Sequence, residues 1–223
     1  MSEIVDLFPT PVLVTTLDSD PSIAQMLEQV ELDMTKCSAA NYNVGLVSKD
    51  TYILKQPEFN VLADQILEHV RHYAREVMLY EFQDIVITQS WVSVKQPGQR
   101  HVHHVHPNSI VSGCFYWQED QEPISFSRKD ELSDYSLGVR HQQRSNKYST
   151  NFYNIQAKKN CLLLFPSDLR HGVNANTSTT DRWSLSFNTM ITGGIGCRSN
   201  LTELIFDQVD STMLRSSGAA KNR

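Results

Sequence analysis

The chain has 223 residues, a formal net charge of −5, 40% hydrophobic residues and 20% charged residues. That balance is ordinary for a globular protein and excludes a fibre, a repeat array or a disordered chain, while the length suits one sizeable domain. The acidic net charge gives no electrostatic reason to expect a nucleic-acid partner, and no apolar run reaches the length of a membrane span.

In chain order, "MSEIVDLFPTPVLV" carries acidic residues where a secretory signal would carry Lys or Arg, so a cytoplasmic location is expected. Asp20 and Pro21 read as an N-cap and a first-turn proline, opening a helix through "SIAQMLEQVELDMTKC" to Cys37. A second helix is expected from Pro57 to about Tyr80. There Phe59, Leu62, Ile66, Val70, Tyr73 and Val77 recur at spacings of three and four and draw one apolar stripe. His69 and His72 lie among charged neighbours in this helix and read as surface or boundary residues.

After Tyr80 the period changes to that of strands. Short β-branched and aromatic runs bounded by turn formers occupy 85–95, 109–118, 124–129, 151–157, 161–166, 171–176 and 182–191. A mainly β fold with N-terminal helices follows, a sandwich or barrel with the helices over one face. The polar stretch 118–150 contains one plausible strand and reads as a lid, and the last eight residues, 216–223, read as a frayed tail. The four cysteines, Cys37, Cys114, Cys161 and Cys197, form no CxxC pair, so they read as reduced thiols; Cys114 and Cys161 lie in apolar runs and belong to the core.

The segment "HVHHVHPNS", residues 101–109, holds four histidines. In an extended strand residues two apart share a face, so His104 and His106 aim at one point while His101 and His103 turn to solvent or the pocket rim. Pro107 and Asn108 end the strand there, where a pocket mouth is expected. Two imidazoles bind a transition metal weakly without a third ligand, and His171, after the apolar strand "CLLLF", is the candidate. In "RWSLSFN", Arg182, Ser184 and Ser186 share one face of a strand and Trp183, Leu185 and Phe187 the other. A buried Arg asks for an anion, and its planar fork suits a carboxylate; a structural salt bridge is the alternative.

Together "LFPTPVLV" (7–14), "HVHPNSIVSGCFYW" (104–117), "CLLLFPSDLRHGVNAN" (161–176) and "RWSLSFN" (182–188) resemble the Fe(II)- and 2-oxoglutarate-dependent oxygenases. Within them the chain is most similar to the 2-oxoglutarate-Fe(II) oxygenase group found in phages and marine bacteria; for a phage protein the cytoplasm is the host's. The resemblance implies a double-stranded β-helix, the cupin-like jelly roll, with a metal in its mouth. As one oxygenase domain it would cover 1–215, with helical support over about 20–80 and the jelly-roll core over about 85–192. It implies His104, His106 and His171 as ligands of Fe(II), and Arg182, Ser184 and Tyr116 as the residues holding 2-oxoglutarate. The family's usual pattern has Asp where His106 stands, so His106 is either a ligand or a neighbour of the metal. The implied reaction couples O2 and decarboxylation of 2-oxoglutarate to succinate and CO2 with hydroxylation of a C–H bond. The substrate would be a small molecule or a peptide side chain, and the reading leaves room for a homodimer. Two rivals stay open: a three-His cupin-type metal dioxygenase without 2-oxoglutarate, and a non-enzymatic jelly-roll binding or structural protein.

Overall fold

Two antiparallel sheets carry the fold. The computed structural model describes residues 2–33, 45–119, 122–128 and 146–205. The larger sheet comprises β1 (Leu13–Thr16), β2 (Leu32–Asp33), β3 (Leu46–Ser48), β4 (Asp84–Lys95), β6 (Val111–Tyr116), β9 (Cys161–Pro166) and β11 (Arg182–Thr192). The smaller comprises β5 (His101–His104), β7 (Ile124–Ser127), β8 (Phe152–Ile155) and β10 (His171–Val173). Their strand orders are β1-β9-β6-β11-β4-β3-β2 and β5-β10-β7-β8, the arrangement of a jelly roll. A short hairpin, β12 (Gly194–Ile195) with β13 (Leu204–Ile205), follows.

Alternation along the strands explains how the layers sort. On β11, Trp183, Leu185 and Phe187 join the cluster beneath the helices, while Arg182, Ser184 and Ser186 line the cavity between the sheets. β9 is apolar throughout because both its faces are covered. Leu162 and Leu164 pack toward the helices, whereas Cys161, Leu163 and Phe165 meet Ile124 and Phe126 of the smaller sheet. Cys114 and Cys161 are buried in this second cluster, as expected for core thiols. Gly113 of β6 is pinned by packing: a Cβ there would stand 2.4 Å from Phe187 and 2.7 Å from the Leu163 carbonyl oxygen.

Helix α1 (Pro21–Glu28) opens as read, with Asp20 Oδ1 accepting the Ser22 N–H at 2.8 Å and Pro21 in the first turn. It stops at Glu28 rather than running on to Cys37. Leu32 and Asp33 instead pair with Ser48 and Val47, because adding an edge strand to the larger sheet satisfies backbone groups that helix propensity alone could not secure. The second helix is divided. A 3₁₀ turn over Pro57–Phe59 leads into α2 (Asn60–His72), which buries Leu62, Ile66 and Val70, and a π turn closes it over Tyr73–Val77. The wider turn, with Met78 N–H on the Tyr73 carbonyl at 3.0 Å, rotates the stripe and leaves Val77 43% exposed, contrary to the expected burial. His69 is half-buried and His72 exposed.

The strand expected over 171–176 ends at Val173. Asn176 turns away there, its side-chain amide donating to the carbonyl oxygens of Lys95 and Thr180 at 2.9 and 2.8 Å. The tail 216–223, Cys37, His141 and most of the expected lid lie outside the described residues. No described helix is long and apolar enough to cross a membrane.

Candidate metal centre and anion pocket

His104 and His171 stand directly opposite each other on β5 and β10. His106 lies just past the end of β5, its backbone N–H on the Ser167 carbonyl at 2.9 Å. The strand thus ends at His104, earlier than the end expected at Pro107-Asn108, and Asn108, in left-handed conformation at φ 57°, turns the chain beyond it. The three imidazoles converge, with one ring nitrogen of each within 4.8 Å of the others. His106 Nε2 and His171 Nε2 are 3.1 Å apart and their rings are parallel to within 3°.

Second contacts orient two of the rings. His104 Nδ1 lies 2.9 Å from the Val102 carbonyl oxygen and His171 Nδ1 lies 2.8 Å from that of Leu169. A ring that donates through Nδ1 keeps a lone pair on Nε2, the nitrogen that faces the cluster. Burial pushes His106 down to about 4, aided by the charge of His104, against a side-chain hydrogen bond from Asn188. Burial likewise takes His171 to about 3, against its bond to Leu169 and with help from the neighbouring histidines. His104 is also lowered, chiefly by burial. All three are therefore neutral near pH 7, the state a ligand must have. Adjacent ligands of a six-coordinate ion with bonds of about 2.1 Å stand about 3 Å apart, so the short His106–His171 edge suits a first-row divalent cation. An all-imidazole set favours iron, nickel, copper or zinc over magnesium or calcium.

His101 departs from the strand-parity expectation. Between the pairs His104–His171 and His101–Val173, β5 has two residues and β10 only Gly172, so β5 is bulged. The extra residue puts His101 on the same side as His104, and their rings stack at 4.4 Å and 18°. His101 thus lines the cavity rather than its rim, and burial followed by the charge of Lys95 lowers it to about 2. His103 does turn outward, 3.3 Å from Ser127 Oγ and edge-on to Phe152. Gly172 lets the bulge close, since a Cβ there would meet the His101 carbonyl oxygen at 2.7 Å and the His103 nitrogen at 2.9 Å.

At the deep end of the same cavity lie Arg182, Ser184, Ser186, Tyr116 and Cys114. Arg182 is 5% exposed, and its only hydrogen bond among the described residues is Nη2 to Tyr116 Oη at 3.4 Å, which leaves buried Nε without a partner. No carboxylate among the described residues forms an ion pair with it. A buried guanidinium in that state is prepared for an anion, and the structural salt bridge weighed as the alternative is not formed within the described residues. Tyr116 is held neutral, its hydroxyl pushed above the usual range by burial. Sequence reasoning missed three neighbours. Lys95, 4% exposed, is paired in register with Arg182 and lines the cavity; Trp91 lies along the His106 ring at 6.0 Å; and Asn188 faces His106. The β4–β11 pairing could have flagged Lys95, since alternation puts Trp91, Ser93 and Lys95 on the face opposite Val92 and Val94. A wider surface cleft bounded by Met26, Lys49, Asp50 and Phe59 contains none of these residues.

Residues 89–188 match the model of the family described as "Putative 2OG-Fe(II) oxygenase". No curated protein sequence matches the chain. Among solved structures, a prolyl-4-hydroxylase from Pseudomonas putida is similar at a TM-score of 0.53 and 15% identity, over 82% of this chain and 94% of that one. HygX from Streptomyces hygroscopicus, solved with nickel, 2-oxoglutarate and hygromycin B bound, gives a TM-score of 0.55 at 13% identity, over 82% and 84% of the two chains. SnoK, a non-heme alpha-ketoglutarate-dependent carbocyclase from nogalamycin biosynthesis, gives 0.54 at 12% identity, over 82% and 81%. At such identities these likenesses establish the shared jelly-roll fold.

Proposed function

We propose that this protein, whose residues 89–188 match the model of the family described as "Putative 2OG-Fe(II) oxygenase", is an Fe(II)- and 2-oxoglutarate-dependent dioxygenase that hydroxylates a small molecule or a peptide side chain. The observation that carries the proposal is one cavity with a cluster of three neutral imidazoles and, deeper in, a buried Arg182 with no anion among the described residues. His104, His106 and His171 would hold the metal. Arg182, with Ser184 and Tyr116 beside it, would hold the distal carboxylate of 2-oxoglutarate through charge-assisted hydrogen bonds. When bound, Fe(II) and 2-oxoglutarate supply O2-driven decarboxylation to succinate and CO2, coupled to C–H oxidation. The chain's own contribution is orientation and exclusion of water. Trp91 and Ile124 line the cavity, and the neutral donors keep both carboxylates of the co-substrate from meeting a like charge.

Anaerobic addition of Fe(II) and then 2-oxoglutarate should produce the visible absorption of a metal-bound keto acid, and admission of O2 should release succinate. Absence of that absorption in protein that binds Fe(II) rejects the 2-oxoglutarate reading. It would favour the three-His dioxygenase without this co-substrate, a rival that draws its support from the imidazole at 106. Failure to bind any divalent metal would instead favour a non-enzymatic jelly-roll protein.

A further inference from the structure

The floor of the cavity is a ladder of paired side chains. In the register of β4 with β11, Trp91 stands opposite Ser186, Ser93 opposite Ser184 and Lys95 opposite Arg182, and all of them line the cavity. Residues two apart on a strand share a face, so the ladder runs from an aromatic ring beside His106, through hydroxyls, to a pair of cations. Among the described residues the cavity lining includes no Asp or Glu.

The rung of two cations is costly by itself. Like charges directly opposite each other in a sheet repel, and Lys95 and Arg182 are only 4% and 5% exposed. A lysine at the end of a strand has a stem long enough to carry its ammonium to water, yet Lys95 Nζ stays buried. The fold makes room for that stem. Gly45, just before β3 and at φ 77°, lies beside it, and a Cβ there would stand 2.8 Å from Lys95 Cδ. Arg182 is braced from the other side by Tyr116 of β6, whose Oη lies 3.4 Å from Nη2. Two cations supported from opposite strands at one level of the cavity suit an anion that both can reach, because an anion there turns repulsion into attraction.

We propose that Lys95 is a specificity-determining residue for the co-substrate: its ammonium shares the distal carboxylate of 2-oxoglutarate with Arg182, so the pocket selects keto acids that end in a second carboxylate. The inference rests on 2-oxoglutarate being the co-substrate. The two cations divide the task. The planar fork of Arg182 fixes the direction of the carboxylate, whereas the ammonium of Lys95 is a point charge that adds attraction with little demand on angle. A keto acid ending in a methyl group would leave both cations buried with no carboxylate to meet, and that mismatch is the source of the selection.

The test compares two ligands by binding rather than by turnover. Anaerobic Fe(II) protein is titrated with 2-oxoglutarate and with 2-oxopentanoate, which has the same length but no distal carboxylate, and each Kd is taken from the visible absorption of the metal-bound keto acid. Lys95→Met should raise the Kd for 2-oxoglutarate roughly 10–100-fold, the range for a hydrogen bond to a charged group, and leave that for 2-oxopentanoate unchanged. Lys95→Arg, which keeps the charge, should recover most of the loss. Co(II) affinity, which a disturbed fold would lower, should stay at the wild-type value in both variants. Wild-type affinity for 2-oxoglutarate in Lys95→Met, or an equal loss for the two keto acids, overturns the inference. If Lys95→Met does not fold, Lys95→Gln decides by the same pair of affinities. Wild-type protein that binds Fe(II) but gives no such absorption with 2-oxoglutarate rejects the co-substrate reading itself, a different failure.

Discussion

Replacing Arg182 with Met should move co-substrate affinity and stability in opposite directions. The side chain is 5% exposed, has one long bond to Tyr116 and carries an Nε with no partner, so the ligand-free protein already bears the cost of a desolvated, incompletely bonded cation. Breaking a buried ion pair by deleting one partner costs about 3–5 kcal/mol. Lys95, paired in register with Arg182 and lining the same cavity, leaves part of the positive field in place, which favours the lower end. About 3 kcal/mol corresponds to a rise of roughly 10²-fold in the Kd for 2-oxoglutarate. Meanwhile the orphaned donor, worth about 1–3 kcal/mol of unmet hydrogen bonding, is gone, so the ligand-free variant should be at least as resistant to urea as wild type. Anaerobic titration of the Fe(II) protein with 2-oxoglutarate measures the first quantity, and urea unfolding of the metal-free protein the second. Unchanged affinity, or a clear loss of stability, would refute the reasoning, the latter by showing that Arg182 serves the fold.

Other perturbations probe the parts around it. His106→Asp puts a carboxylate at the position of a neutral ligand, and Co(II) binding should be retained; a loss as deep as that in His106→Ala would show that the pocket is shaped for imidazole alone. Gly172→Ala drives a Cβ to 2.7–2.9 Å from β5 backbone atoms, so the bulge must shift. Such overpacking costs about 1–3 kcal/mol, and Co(II) affinity should fall with the melting temperature; an unaltered protein would mean that the bulge does not set the site. Asp84 receives bidentate hydrogen bonds from Arg71 at 3.0 and 3.1 Å. Burial pulls its pKa up, but bonds from Arg71 and the Ile85 amide, with the charges of Arg71 and Arg75, outweigh it and hold the carboxyl below its ordinary value. Its stabilisation is therefore full above the unfolded carboxylate range near pH 4 and is lost as pH falls through the lower folded value. Because the pair is partly exposed the effect should be below about 1 kcal/mol. Asp84→Asn should flatten the acid limb of urea midpoints measured from pH 5 downward, and an unchanged limb would exclude the pair as a contributor.

Local periodicity was enough for the elements whose burial repeats within themselves. The face assignment of "RWSLSFN" could be read because alternation in a strand is geometric, and Arg182, Ser184 and Ser186 do line the cavity. His104 and His171 were legible as partners because each ends or begins a strand, although only the fold sets them opposite one another. What depended on pairing was not legible. The end of α1 at Glu28 follows from a strand pair with Ser48, and the place of His101 follows from one residue more on β5 than on β10. A bulge is a relation between two strands, and neither strand's pattern contains it. The same holds for Lys95 opposite Arg182 and for Asn188 beside His106, side chains brought together across 87 and 82 positions of chain by the register of β4 with β11 and by the turn after β5. The sequence by itself determined which residues are chemically able to serve. Only the tertiary structure decided which of them meet, because register and bulges are settled by the joint packing of two sheets.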